Sequence, residues 1–255
     1  MAVIEKEKVI TLESGNIFFY YRPGIEKKEQ ESVKGQQFYM ILSPRNNERF
    51  RLIVIGSKRL PEVERKGKRF WGFVDLVRKS SNSIRDELSG EKYRTKARGE
   101  RHVSAARPAG EGVYRLLRHG GHTHLVYALE PPERLNEEQN ELQIETEGSY
   151  IIGIKNPKTL STRGVGLRPT QQANFPRSLM EVFRGRRFAE ADPPEFLNKE
   201  GAEFVLIAAA EDAEKELGIT LDIEDEDVAR ADIYNELEID LEKYSPLPLF
   251  EEKWE

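Results

Sequence analysis

The sequence contains no cysteine. Disulfide bonds, thiolate catalysis and sulfur-based zinc sites are therefore excluded, and histidine, aspartate and glutamate remain as the metal ligands to consider. Long apolar runs are also missing, since the longest, residues 148–154 and 204–210, fall far short of the roughly 20 residues that span a bilayer. The first ten residues alternate apolar and charged side chains and carry no apolar stretch of the secretory type. We therefore expect a cytoplasmic protein without a membrane segment.

Several catalytic motifs are absent as well. The chain has neither a P-loop nor a G-x-G-x-x-G dinucleotide motif, and it has no G-x-S-x-G nucleophile elbow. The helical zinc signature His-Glu-x-x-His and the hydrolase pattern His-x-His-x-Asp-His do not occur either. These absences argue against nucleotide-driven motors, Rossmann dehydrogenases and typical α/β-hydrolases.

What the chain does have is a strong division of charge. Residues 189–255 hold 22 acidic and 5 basic residues, a net charge of −17, whereas residues 1–188 hold 23 acidic and 35 basic residues, a net charge of +12. Such a division predicts that the acidic end lies on the basic body, or that the body binds an external polyanion.

The first two-thirds of the chain read as β-strands, because short runs of aromatic and branched residues alternate with Pro, Gly and Asn. Two hairpins are predicted, one pairing residues 38–42 with 50–55 and one pairing residues 112–117 with 122–129 across Gly120 and Gly121. The antiparallel pairing of these runs predicts a β-rich body.

Helical signals come later in the sequence. Residues 176–183 and 211–217 have helix patterns, while the apolar run 204–210 fits either a strand or the first half of a longer helix. The fold prediction is therefore α+β, with an antiparallel β-rich body over residues 1–163 and a more helical, acidic region over residues 164–255. The second region is expected either as a separate unit or packed on the body as one domain, with a joint near residues 164–174.

All four histidines fall within one short window: His102, His119, His122 and His124. In a strand, His122 and His124 would share a face, and His119 would lie near them across the Gly-Gly turn. Three interpretations stay open. The histidines are ordinary turn and strand residues, or all four act as general acids and bases near neutral pH, or His119, His122 and His124 bind a divalent metal.

A polycationic stretch precedes and surrounds the histidines. Its basic residues in the first part recur at every second position, which would form one charged row in an extended segment. The candidate anion-binding residues are Lys92, Arg94, Lys96, Arg98, Arg101, Arg107, Arg115 and Arg118. The bland alternative is a solvated loop.

Together these features predict a protein that binds RNA or DNA and that, with the histidines, cleaves phosphodiester bonds without a metal. Two alternatives remain. One is a histidine-ligated metalloenzyme acting on a small anionic substrate. The other is a non-enzymatic regulatory or assembly protein whose acidic end binds its own body or a neighbouring copy.

Overall fold

A computed structural model describes residues 8–24, 32–62, 68–95, 99–132, 134–160 and 166–210, together with residues 219, 221 and 237; the side chains of residues 24, 32–36, 91–103 and 210 lie outside this description. The strands are β1 (Ile10–Gly24), β2 (Ser32–Pro44), β3 (Phe50–Ile55), β4 (Arg69–Arg78), β5 (Glu91–Thr95), β6 (Gly99–Val103), β7 (Arg107–His119), β8 (His122–Leu129), β9 (Glu147–Lys155), β10 (Phe188–Glu190) and β11 (Glu203–Ala210). The helices are α1 (Ser81–Leu88), α2 (Glu137–Leu142) and α3 (Arg177–Val182), with 3₁₀ turns at Pro169–Gln171 and Pro194–Asn198.

Eight of these strands close into an antiparallel barrel. Their order is β9, β11, β4, β3, β2, β1, β7 and β8, and β8 pairs in turn with β9 to complete the circle. Strand β10 pairs with the last residues of β9. Strands β5 and β6 pair with each other as a separate two-stranded sheet. Both predicted hairpins are confirmed, as β2 with β3 and as β7 with β8.

The prediction of an α+β fold with a helical C-terminal third is wrong. The described helices are short, with eight, six and six residues. The ambiguous run 204–210 is strand β11, in which Phe204, Leu206 and Ala208 are buried while Val205 and Ile207 are partly exposed. This period of two is the strand period. Strand β11 lies between β4 and β9, so residues on both sides of the expected joint build one barrel.

The predicted helix at residues 176–183 is confirmed as α3. The predicted helix at residues 211–217 lies outside the described residues. None of the helices in the described ranges is long and apolar enough to span a membrane.

The barrel interior is filled by apolar and aromatic side chains. Alternate residues of each strand point inward, as Ile17, Phe19 and Tyr21 do on β1, and they share one core with Tyr127 of β8 and Tyr150 of β9. The ring centroids of Phe19 and Tyr127 lie 5.1 Å apart in an edge-on arrangement. The lumen is therefore a packed core.

Different segments cover the two ends of the barrel. At the hairpin end, where β7 begins at Arg107, α2 packs through Leu142 and donates a hydrogen bond from Gln139 Nε2 to the Ala109 carbonyl (3.0 Å). At the cap end, where β7 turns into β8 at His119, residues 169–202 pack aromatic rings over the core. These rings belong to Phe175, Phe183 and Phe196.

The outer wall also carries apolar contacts. Helix α1 packs through Ile84 and Leu88 on the outer faces of β1, β2 and β3, and Leu237 joins this cluster. Leu221 joins a second cluster on the outer face of β7 and β8. The acidic region is therefore anchored to the barrel at two described leucines.

Candidate functional site

Three of the four histidines meet at the cap end. Gly120 and Gly121 have φ angles of 57° and 76°, the conformation of a two-residue hairpin turn, and this turn places His119 directly opposite His122. His124 follows two residues later on the same face of β8. Its ring centroid lies 6.0 Å from that of His119. The local grouping predicted from the sequence is therefore present.

His124 differs from its two neighbours because it is buried. Its side chain lies in the barrel wall, and its Nδ1 is 3.3 Å from the hydroxyl of Ser149 on β9. Burial, together with positive charge on His119 and His122, lowers the pKa of His124 to about 4. His124 is therefore neutral at pH 7. Its pKa lies well below the range in which a general acid or base works best.

No group of three or more His, Asp or Glu side chains within the described ranges can hold a metal ion, and this holds for the trio His119, His122 and His124. Beside this turn, Arg118 forms an ion pair with Asp192 (Nη1 to Oδ2, 2.8 Å). The neutral-imidazole metal site thus gains no support from the geometry.

His102 does not join the other three histidines. It lies on β6, next to the base of the β5–β6 hairpin, which Arg22 fixes by donating to the carbonyls of Ser104 (2.5 Å) and Glu87 (2.8 Å). This base lies at the hairpin end, because Tyr21 is the register partner of Arg107. Strand β7 runs from there to His119, a distance of roughly 40 Å at about 3.3 Å per residue.

The predicted basic residues are divided in the same way. Arg115 and Arg118 lie on β7 toward the cap end, whereas Arg107 lies at the hairpin end. The others belong to the β5–β6 hairpin segment: Lys92, Arg94 and Arg101 on its strands, and Lys96 and Arg98 outside the described residues. Arginines from the cap end and the hairpin therefore do not form one pocket with the histidines.

The β5–β6 hairpin is a basic ribbon. Lys92 pairs with His102, and Arg94 pairs with Glu100, so the register places these four residues on one face. Tyr93 and its partner Arg101 occupy the other face. Within the part of the chain that the structure describes, the ribbon pairs with no strand of the barrel.

A cleft of about 590 Å³ opens at the cap end, and no sequence motif signals it. The turn between β2 and β3 forms one side through Asn47 and Arg49. The cap forms the other side through Leu179, Val182, Asn198 and Lys199. Its two sides come from segments some 130 to 150 positions apart in the chain, so no local pattern could have revealed it.

Beneath the cleft lies a buried polar network. Arg51 is fully buried and donates to both carboxylate oxygens of Glu13 (2.5 and 2.8 Å). Tyr114 donates to the same carboxylate (2.9 Å), and Arg51 Nε donates to Asn198 Oδ1 (2.9 Å). The network joins β1, β3 and β7 to the cap and fixes the orientation of the Asn198 amide.

Comparison with known proteins gives no relative for this chain: no family model matches it, and neither does any curated protein or any solved structure. The function has to be inferred from its own residues.

Proposed function

We propose that this protein binds nucleic acid through the β5–β6 ribbon and does not cleave it. The observation that carries the proposal is the separate two-stranded sheet, formed by a segment with six basic residues and one acidic residue between positions 92 and 107. A two-stranded ribbon fits the major groove of DNA, and rows of basic residues neutralise phosphates.

The attachment of the ribbon supports this role. Arg22 is buried and bonds to carbonyls on both sides of the hairpin, at Glu87 and Ser104. Ala106 N donates to the Leu88 carbonyl (2.8 Å), which holds the two ends of the segment together. A ribbon held at its base on the barrel has its backbone positioned before nucleic acid binds, which lowers the entropy cost of binding.

The distribution of histidines argues for binding without cleavage. Metal-free phosphodiester cleavage requires one group to remove a proton and a second to supply one, both within hydrogen-bond reach of the reacting atoms. His102 is at the ribbon, while the other three histidines are at the far end of β7. A nucleic acid on the ribbon therefore meets one histidine.

The test is a binding titration with a ribbon variant, Lys92→Ala/Arg94→Ala/Arg101→Ala. The probes are a short single-stranded RNA and a DNA duplex. Their binding is measured by fluorescence anisotropy at about 50 and about 200 mM salt. We expect the variant to bind at least tenfold more weakly and the salt slope for duplex DNA to fall by about 2 to 3, because about three phosphate contacts are lost.

The matched control, Arg45→Ala/Lys79→Ala/Lys158→Ala, removes the same charge from exposed positions on the barrel. It should keep the affinity of the unmodified protein. Equal loss in both variants would show that net charge alone attracts the probe, and absence of binding at low salt would disprove the proposal. Cleavage of the RNA during the assay would contradict the binding-only role.

A further inference from the structure

We propose that the cleft at the cap end is a binding site for a small organic anion, one with a carboxylate or phosphate group attached to an apolar part. This site lies at the opposite end of the barrel from the basic ribbon, and it does not depend on nucleic-acid binding. Its volume of about 590 Å³ lies within the range of small-molecule sites.

Two cations face each other across the cleft. Arg49 comes from the β2–β3 turn and Lys199 from the cap, and both side chains are partly buried. Within the described residues, neither side chain forms an ion pair or a hydrogen bond. Other arginines at this end do have carboxylate partners: Arg51 pairs with Glu13, and Arg118 pairs with Asp192. Two uncompensated cations in a cleft favour an anion.

Three polar side chains that line the cleft can donate hydrogen bonds to an anion. The Asn198 side-chain oxygen already accepts from Arg51 Nε, so the amide NH₂ is the part of this side chain left to donate. The hydroxyl of Ser178 and the amide of Asn47 also line the cleft. Because the Arg51 network holds Asn198 in place, its donor is oriented before a ligand arrives.

The turn that carries Arg49 is also fixed. Asn47 N donates to the Pro44 carbonyl (3.2 Å), and Arg45 N donates to the Ser14 carbonyl on β1 (2.9 Å). These bonds anchor the turn to the barrel wall, so the positions of Asn47 and Arg49 are set by the fold.

The remaining wall of the cleft is apolar. It consists of Pro176, Leu179 and Val182 from the α3 segment and Pro193 from the cap. This wall fits the hydrocarbon part of an amphiphilic anion. Glu195 is the one carboxylate among the described lining residues, and it is exposed. It opposes a ligand of high negative charge and favours one with a single anionic group.

The experiment titrates hexanoate, hexyl phosphate, inorganic phosphate and hexylammonium into the full chain and follows chemical shifts by NMR. We expect hexanoate or hexyl phosphate to bind saturably in the millimolar range, in accord with the small size of these molecules. Their comparison distinguishes the two anionic groups. Each further methylene that is buried should tighten binding about fourfold. Hexylammonium should not bind in this range, because it carries the same charge as Arg49 and Lys199.

The variant Arg49→Ala/Lys199→Ala should weaken binding of the anions at least tenfold. Arg45→Ala is the control for a change in the turn outside the cleft, since Arg45 is exposed on the same turn and does not line the cleft. It should bind as the unmodified protein does. Circular dichroism checks folding, and Arg49→Lys, which keeps the charge, provides a second variant if the double variant fails to fold.

Three results would overturn the inference. One is the absence of saturable binding for every anion. Another is equal binding by the Arg45 and the Arg49/Lys199 variants. The third is binding of hexylammonium as tight as that of hexanoate, which would show an apolar surface without charge selection. The comparison of hexanoate with hexylammonium uses the unmodified protein and does not depend on the variants.

Discussion

At the scale of single residues, position in the barrel wall decides what each histidine can do. His119 and His122 lie at an open turn, whereas His124 is sealed between β7 and β9 and pairs with the Ser149 hydroxyl. The same imidazole group is therefore exposed at one position and held neutral two residues later. The residue type alone carries no information about this difference.

The low pKa of His124 predicts a loss of stability in mild acid. The unfolded chain takes up a proton on this imidazole near pH 6.5, whereas the folded chain does so near pH 4. The contribution of His124 to the free energy of unfolding is therefore fully present above pH 6.5. It is lost as the pH falls from 6.5 to 4. The free energy of unfolding, measured with urea, should be lower at pH 4.5 than at pH 7. We expect His124 to account for about 2 to 3 kcal/mol of this difference.

The variant His124→Asn isolates this contribution, since it removes the titrating group and keeps a polar side chain beside Ser149. Its stability should change less between the two pH values than that of the unmodified protein. His122→Asn is the control, because His122 is exposed. An unchanged pH dependence in His124→Asn would show that His124 accepts protons freely in the folded state.

The same residues show which parts of a site the sequence can reveal. The grouping of His119, His122 and His124 was predictable because a two-residue turn and a strand period fix it locally. The separation of His102 was not, because it depends on where α1 and the ribbon leave the barrel. The cleft at Arg49 and Lys199 was not predictable from the sequence, because its two sides come from distant segments that only the folded barrel brings together.

At the scale of elements, turns and strand periods were read correctly where the pattern was local. The β7–β8 hairpin follows from Gly120 and Gly121, whose positive φ angles suit glycine. The closure of the barrel was not predictable in this way. It requires β11 to insert between β4 and β9, and a short apolar run such as 204–210 gives no sign of its partners.

The β7–β8 turn predicts an ordered series of substitutions. A Cβ at Gly121 would meet no atom within 4 Å. The φ of +76° at this position nevertheless strains residues that carry a Cβ. Gly121→Asn should cost little, Gly121→Ala about 1 kcal/mol, and Gly121→Val more. Thermal unfolding measures the order.

Gly153 provides the control for this series. It lies within β9 without a positive φ, and a Cβ there would meet Val205 at an ordinary 3.5 Å. Gly153→Ala should leave stability unchanged or raise it, because alanine loses less backbone entropy than glycine on folding. Equal costs at both glycines would show that the φ at Gly121 is not the cause.

At the scale of the whole molecule, two leucines of the acidic region contact the barrel. Leu221 is buried on the outer face of β7 and β8, and Leu237 is buried in the α1 cluster, which also contains Ala106 at the base of the ribbon. These two leucines flank residues 222–236 in the sequence, and Leu237 packs in the same cluster as the base of the ribbon. Five acidic residues at positions 222–227 lie directly after the first anchor.

This arrangement predicts that the acidic stretch competes with nucleic acid for the basic ribbon. Five amide substitutions neutralise it: Asp222→Asn, Glu224→Gln, Asp225→Asn, Glu226→Gln and Asp227→Asn. Removing these anions should raise the affinity for a DNA duplex about tenfold at about 50 mM salt, and the gain should shrink as salt screens the charges. Anisotropy titrations at low and high salt measure both effects.

The control neutralises five exposed glutamates of the described residues, at Glu48, Glu137, Glu141, Glu145 and Glu181. It changes the net charge by the same amount, so general attraction rises equally in both variants. A larger gain in the 222–227 variant would show that this stretch, beyond its share of the net charge, opposes binding. Equal gains would mean that the acidic stretch acts through net charge alone, and the leucine anchors would then hold it to the barrel for stability.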